Sequence, residues 1–152
     1  MSTLLAVDPG VRCMGWALFL NGILVEVGLS RAKTLEDQIS SMTLPKAPDG
    51  LVIEEPQVYQ GAKQVGSPDD LIRLAMVAGA VMARAACFKD VETILVKPAG
   101  WKGQVPKDIM STRIMRKLSD KERSLVVAIM PKGLRHNAID AVGIGLWALG
   151  RS

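Results

Sequence analysis

Four apolar residues, Leu4 to Val7, run straight into Asp8 and then into Pro9-Gly10, and this stretch restricts the fold more than any other. An apolar run of that length closed by Pro-Gly reads as a strand buried on both faces, ending where the proline and glycine swing the chain away. A lone carboxylate at such a position is costly to bury unless it is paired, hydrogen-bonded or bound to a cation. Asp8 therefore either belongs to a site at the strand's mouth or caps the Pro-Gly turn, since Asp favours turns. Leu51-Val52-Ile53-Glu54-Glu55-Pro56 repeats the arrangement: an apolar run that delivers acid at its end and is stopped by proline.

With 152 residues, 49% of them apolar, the chain is long enough for one full core, and residues 1–152 are expected to form one domain. Its net charge of +4 and pI near 9.3 suit a polyanionic partner, although modest excess charge is also a solubility device. Cys13 and Cys87 stand far apart, without neighbouring Cys or His at metal spacing. They signal neither a disulfide framework nor a zinc site, and they fit a reducing cytoplasm. The start lacks a basic region before its apolar run, which argues against a signal peptide. Leu74 to Ala83 falls well short of the ~20 residues that span a bilayer, so a soluble protein is expected.

Along the chain, Met14 to Leu20 and Ile23 to Leu29 flank Asn21-Gly22, a strong hairpin signal. Ser30 to Gly50 says little, beyond a possible short helix around Leu35 to Ser41. From Ser67 the period changes. Ser67 suits an N-cap, Pro68 the first helical position, and Asp69 and Asp70 the positive helix end. The expected stripe on this long helix is Leu71, Leu74, Ala75, Ala78, Met82 and Ala85, with Gly79, Ala80 and Val81 making the other side small and apolar too. Such a helix either packs on the sheet and on another subunit, or lies in the middle of the core. Glu92 to Val96 reads as a strand broken by Pro98-Ala99-Gly100. Asp108 to Leu118 looks helical, Ser119-Asp120-Lys121-Glu122 is a capping box, and a last helix runs from Leu134 to Leu149 and ends at Gly150.

About half of the nineteen basic residues lie between Lys97 and Arg135. That run is either a solvated face or a phosphate-contacting surface; its place beside acidic strand ends favours the latter. On the last helix, Asp140 sits on the face next to the core stripe, with His136 one turn and Asn137 three residues earlier. His136 taken alone suits a surface or cap position as well as a ligand. If the two acid-ended strands are parallel neighbours, Asp8, Glu54 or Glu55, and Asp140 converge on one crevice. Clustered acids repel unless a cation joins them. Mg2+ takes hard oxygen ligands and bridges carboxylates to phosphate. Two ions roughly 3.5 to 4 Å apart can ready a water and stabilise the departing 3′ oxygen in phosphodiester hydrolysis.

The order of these motifs, Asp-Pro-Gly, the Asn-Gly hairpin, Ile-Glu-Glu, the long helix, the basic loop Trp101 to Lys107 with its aromatic at the base, and His-Asn-Ala-Ile-Asp-Ala, resembles the RuvC family of Holliday junction resolvases, most closely its phage-type members. The similarity covers nearly the whole chain, least so Ser30 to Gly50. It implies an α/β RNase H-like fold, a mixed five-stranded sheet with helices on both faces. It also implies a homodimer, formed through the Ser67 to Ala85 helix, that cuts symmetric strands of a four-way DNA junction with Mg2+, or Mn2+ as a substitute, and two ions per site.

Carried over, Asp8, Glu54 and Asp140 match the family's catalytic, metal-binding acids. Glu55 is second choice because it points to the opposite face of a regular strand. Where many relatives have an acid or histidine three residues before the last Asp, this chain has Asn137, with His136 one residue earlier; either could ligate metal, though a neutral partner binds a second ion less tightly. Tyr59, in the loop after Glu55, either stacks on an exposed base or anchors its loop. Lys102 and Lys107 are expected to grip phosphate near the scissile bond, with Arg113, Arg116 and Lys117 extending the track. Two other readings stay open: a broader fork or flap nuclease, and a non-catalytic junction-binding protein on the same fold.

Overall fold

The computed structural model describes residues 2–58, 66–87 and 89–151. Five strands, β1 (Thr3–Asp8), β2 (Cys13–Leu20), β3 (Ile23–Arg31), β4 (Gly50–Glu54) and β5 (Glu92–Val96), form one mixed sheet in the order β3-β2-β1-β4-β5. The first three run antiparallel to their neighbours through the Asn21-Gly22 turn and the Asp-Pro-Gly corner. Asn21 and Gly22 both take positive φ, at 50° and 83°, the conformation that a two-residue hairpin turn requires. Strands β1 and β4 are parallel neighbours, as are β4 and β5. The condition on which convergence of the acids depended is met.

Alternation along the strands sorts two cores. Leu5 and Val7 of β1, Met14 of β2, and Leu51 and Ile53 of β4 pack on one face under α1 (Leu35–Ser41) and α2 (Pro68–Ala86). Ala6, Ala17, Phe19, Val52 and Val96 pack on the other, under α3 (Pro98–Lys102), α4 (Lys107–Arg116), α5 (Asp120–Val127) and α6 (Arg135–Ala148). Helix α6 lies close to the sheet because glycine stands at the crossing points. A Cβ at Gly15 would collide with the backbone of Asn137, and one at Gly145 with the ring of Phe19.

Helix α2 begins as expected with Ser67 as N-cap and Pro68 in its first turn, and Asp70 adds the return bond that completes a capping box. Its core stripe is rotated from the expected one. Val77, Ala78, Val81 and Ala85 are buried, whereas Ala75 and Gly79 face solvent with Ile72 and Met76. The branched valines fill the space over Leu5, Leu51 and Ile53, which alanine is too small to fill, so Val81 belongs to the sheet side and not to the opposite one. Strand β5 ends at Val96 as expected, and Pro98 then takes the first position of α3, where its missing N–H costs nothing. Helix α4 stops at Arg116, and a short 3-10 turn, Lys132–Leu134, precedes α6.

The capping box at Ser119 and Glu122 carries more than its helix. Glu122, buried at 4% exposure, accepts hydrogen bonds from the backbone N–H of Leu24 (2.9 Å) and of Ser119 (3.0 Å). Arg151 donates to both of its oxygens, at 2.7 and 3.0 Å. Arg151 also donates to the carbonyls of Gly22 and Lys117, which ties the hairpin, α4 and the chain's end to one carboxylate. These bonds hold the Glu122 carboxyl down to about 2, against ~4.3 in an unfolded chain. Its stabilisation is therefore complete above about pH 4.3 and lost as pH falls towards 2, and is on the order of 3 kcal/mol. Arg151→Ala leaves this buried carboxylate uncompensated and is expected to cost about 3 kcal/mol at pH 7. In urea unfolding, the gap from wild type should shrink as pH drops from ~4.3 towards 2; a gap that does not change with pH contradicts the role given to this pair.

Candidate active site

The carboxyl ends of β1 and β4 bring Asp8 and Glu54 out one residue past the Val7–Ile53 pair. Both lie on the α6 face of the sheet, since Ala6 and Val52, two residues earlier, belong to that core. Alternation thus selects Glu54 over Glu55, whose N–H continues the sheet by donating to the Val96 carbonyl at 2.8 Å. Asp140 comes down from α6 onto the same spot. The pairing of Asp8 with Gly15 puts the glycine that admits α6 beside the first acid.

The three acids share one electrostatic environment: Asp8 senses Glu54 and Asp140, and Glu54 senses Asp140. Burial, then the neighbouring Glu54 and Asp140 charges, push Asp8 well above the usual carboxylate range, against the opposing pull of Lys102 and Lys107. Burial also raises Glu54 and Asp140. Trp101 is packed against Gly143 and Ile114 and donates its indole N–H to the Glu54 carboxylate at 2.6 Å, which opposes the rise. Lys102 opposes it at all three acids, and its ammonium also lies 5.3 Å from the Trp101 ring centroid. Trp101 is a partner of Glu54 that the sequence reading did not assign to the site. Its only signal was an aromatic at the base of a basic loop.

His136 and Asn137 separate. His136 sits one turn from Asp140, stabilises that charge, and bonds through Nδ1 with the Gly133 carbonyl at 3.1 Å. The Asn137 amide nitrogen is committed to Cys13 Sγ (3.3 Å) and the Leu134 carbonyl (3.2 Å). Among the described residues no group of three or more Asp, Glu, His or Cys side chains stands close enough to hold a metal ion as it is. The chemistry of the donor set fits hard divalent cations all the same, since three carboxylates supply the oxygen ligands that Mg2+ takes.

The cations are divided between surfaces. Lys102, Arg113 and Lys117 line a cavity of about 420 Å³ with Trp101 and the exposed Trp147. Lys107 acts on Asp8 and Asp140. Arg116 is not part of that cavity; it lines a separate hollow beside Arg123. Tyr59 lies outside the described residues.

The architecture is an RNase H-like fold. No protein-family model matches the chain, and no curated protein sequence does. Solved structures match in shape. The chain is similar to Thermus thermophilus RuvC, at 15% identity over 98% of this chain and 97% of that one, with a TM-score of 0.61. It is also similar to T. thermophilus RuvC in complex with a Holliday junction substrate (14% identity, 97% and 92% covered, TM-score 0.55). The fowlpox virus Holliday junction resolvase matches at 13% identity over 97% of this chain and 98% of that one, with a TM-score of 0.60. At these identities the comparisons show a shared fold.

Carboxyl-carbon NMR titration checks the cluster. In Trp101→Phe the Glu54 resonance should titrate at higher pH than in wild type, with Asp8 little moved, because one charge-stabilising donor is lost. In Lys102→Gln all three acids should move up together. Independent titrations would contradict a shared site.

Proposed function

We propose that this chain is a divalent-metal-dependent nuclease that resolves four-way DNA junctions by paired phosphodiester hydrolysis. The observation that carries the reading is the convergence of Asp8, Glu54 and Asp140 at one sheet edge, in a fold shared with RuvC and the fowlpox virus resolvase. The presence of junction DNA in one of the matched RuvC structures supports the substrate. Asp8, Glu54 and Asp140 would hold Mg2+ or Mn2+, with His136, whose charge acts on Asp140, as the auxiliary group, since the Asn137 amide nitrogen is engaged by Cys13 and Leu134. When bound, the ions supply a water reactive at neutral pH and a counter-charge for the departing 3′ oxygen.

The chain's own residues do the rest. Trp101 fixes the orientation of Glu54, so that its second oxygen is presented to the site. Lys102 and Lys107 hold the phosphate against the carboxylates, which unaided would repel it. Arg113 and Lys117 extend the track along α4. Symmetric cuts require two sites, and α2 carries the surface that suits a second copy of this chain. Ile72 and Met76 are 59% and 51% exposed, beside the small residues Ala75 and Gly79 that allow close helix approach.

Cleavage of a labelled immobile four-way junction, compared with matched duplex, fork and flap in Mg2+, tests this. Wild type should place paired symmetric nicks at the junction. Asp8→Asn should abolish cutting and keep binding, since removing an acid reduces repulsion of phosphate. Equal cutting of forks and flaps would leave a nuclease without junction selectivity, and tight binding without cutting in either Mg2+ or Mn2+ would leave a junction-binding protein.

A further inference from the structure

The acids do not stand at the end of the basic surface but in the middle of one. All five strands present chain ends or corners at the edge that carries Asp8 and Glu54. In sheet order these are Arg31 at the end of β3, Cys13 at the start of β2, Asp8, Glu54, and Val96 leading to Lys102. The cations recognised in the sequence flank the acids only on the β5 side. On the β3 side, Arg12, Arg31 and Lys33 line a hollow of about 570 Å³ with Cys13 and Leu134. Arg12 and Lys33 also line an adjoining hollow of about 350 Å³, to which α2 contributes Arg73. One carboxylate, Glu36, lies in the second hollow. Among the described residues, none of the four cations is in an ion pair.

The backbone beneath them is fixed. Gln38 is fully buried, and its amide nitrogen donates to the Gly10 and Ser30 carbonyls, both at 2.9 Å, while its oxygen accepts from the Ser30 hydroxyl. Ala32 N–H donates to the Arg12 carbonyl, and Cys13 pairs with Arg31 across the ladder. The bases of Arg12 and Arg31 are thereby locked together.

We infer that Arg12, Arg31, Lys33 and Arg73 form a second phosphate-backbone groove, which holds the DNA on the side of the acids opposite Lys102 and Lys107. Four strand spacings of ~4.8 Å make the edge about 19 Å long, enough for roughly six nucleotides at ~3.4 Å each. The acids then face the middle of a bound segment. This rests on the proposed action on DNA.

The test is the salt dependence of junction binding by the full chain in chelator, for wild type, Arg12→Gln/Arg31→Gln/Lys33→Gln/Arg73→Gln, and Lys46→Gln as a cation outside the groove. Each lost phosphate contact should reduce the log–log salt slope by about 0.9. The quadruple variant should therefore lose roughly 2 to 4 units of slope and bind at least about tenfold more weakly, with its melting temperature unchanged. Lys46→Gln should match wild type. A quadruple variant with wild-type slope and affinity overturns the groove while leaving the DNA reading intact. A wild-type chain that binds no DNA overturns both.

Discussion

The structure depends on the cost of bringing three carboxylates together where water is scarce. Asp8, Glu54 and Asp140 are all raised by burial, and Asp8 further by its two acidic neighbours. Nothing in the packing of the two cores needs an acid at any of these positions. An arrangement that costs stability without serving the core is the physical ground for the site proposed above. The elements around it are organised to keep the cost tolerable.

Three devices do so. Two parallel strands end in step, which fixes Asp8 beside Glu54 through backbone pairing instead of flexible side chains. Glycines at positions 15 and 145 let α6 lie against the sheet, so that Asp140 reaches the same point. Finally, Trp101 and Lys102, adjacent on one helical turn, deliver a hydrogen-bond donor to Glu54 and a positive charge to all three acids. Outside the acid cluster, the pair of buried Glu122 and half-buried Arg151 joins the hairpin, α4 and α5.

What could be read from the chain alone divides along physical lines. Local signals were sufficient for the strands, for the Ser67 N-cap and the Ser119 capping box, and for the strand ends that bear Asp8 and Glu54, because proline, glycine and apolar runs act within a few residues; that those strands are parallel neighbours was a condition only the sheet could meet. The helical period of α2 was legible, but its rotation was not. Alanine and valine are equally apolar in a pattern, and only the shape of the sheet beneath distinguishes Val81 from Ala75. Trp101, Gln38 and Arg151 were missed because each acts on residues distant in sequence: Glu54, Gly10 and Glu122. The basic run after Lys97 was visible as a cluster, whereas Arg12, Arg31, Lys33 and Arg73 are scattered along the chain and meet only when the sheet edge forms.

On the proposed function, Asp8 is held at a cost to stability because a cation and phosphate need it. Thermal unfolding of wild type and Asp8→Asn at pH 7, in chelator and in saturating Mg2+, tests this most directly. In chelator the variant should melt higher, because a charge that burial and its neighbours disfavour is gone. With Mg2+ at about 100 times its Kd, wild type should gain roughly 2.7 kcal/mol, some 5 to 10 °C, and the variant much less. A variant that melts lower in chelator and gains as much from Mg2+ as wild type would make Asp8 a structural residue and contradict the account.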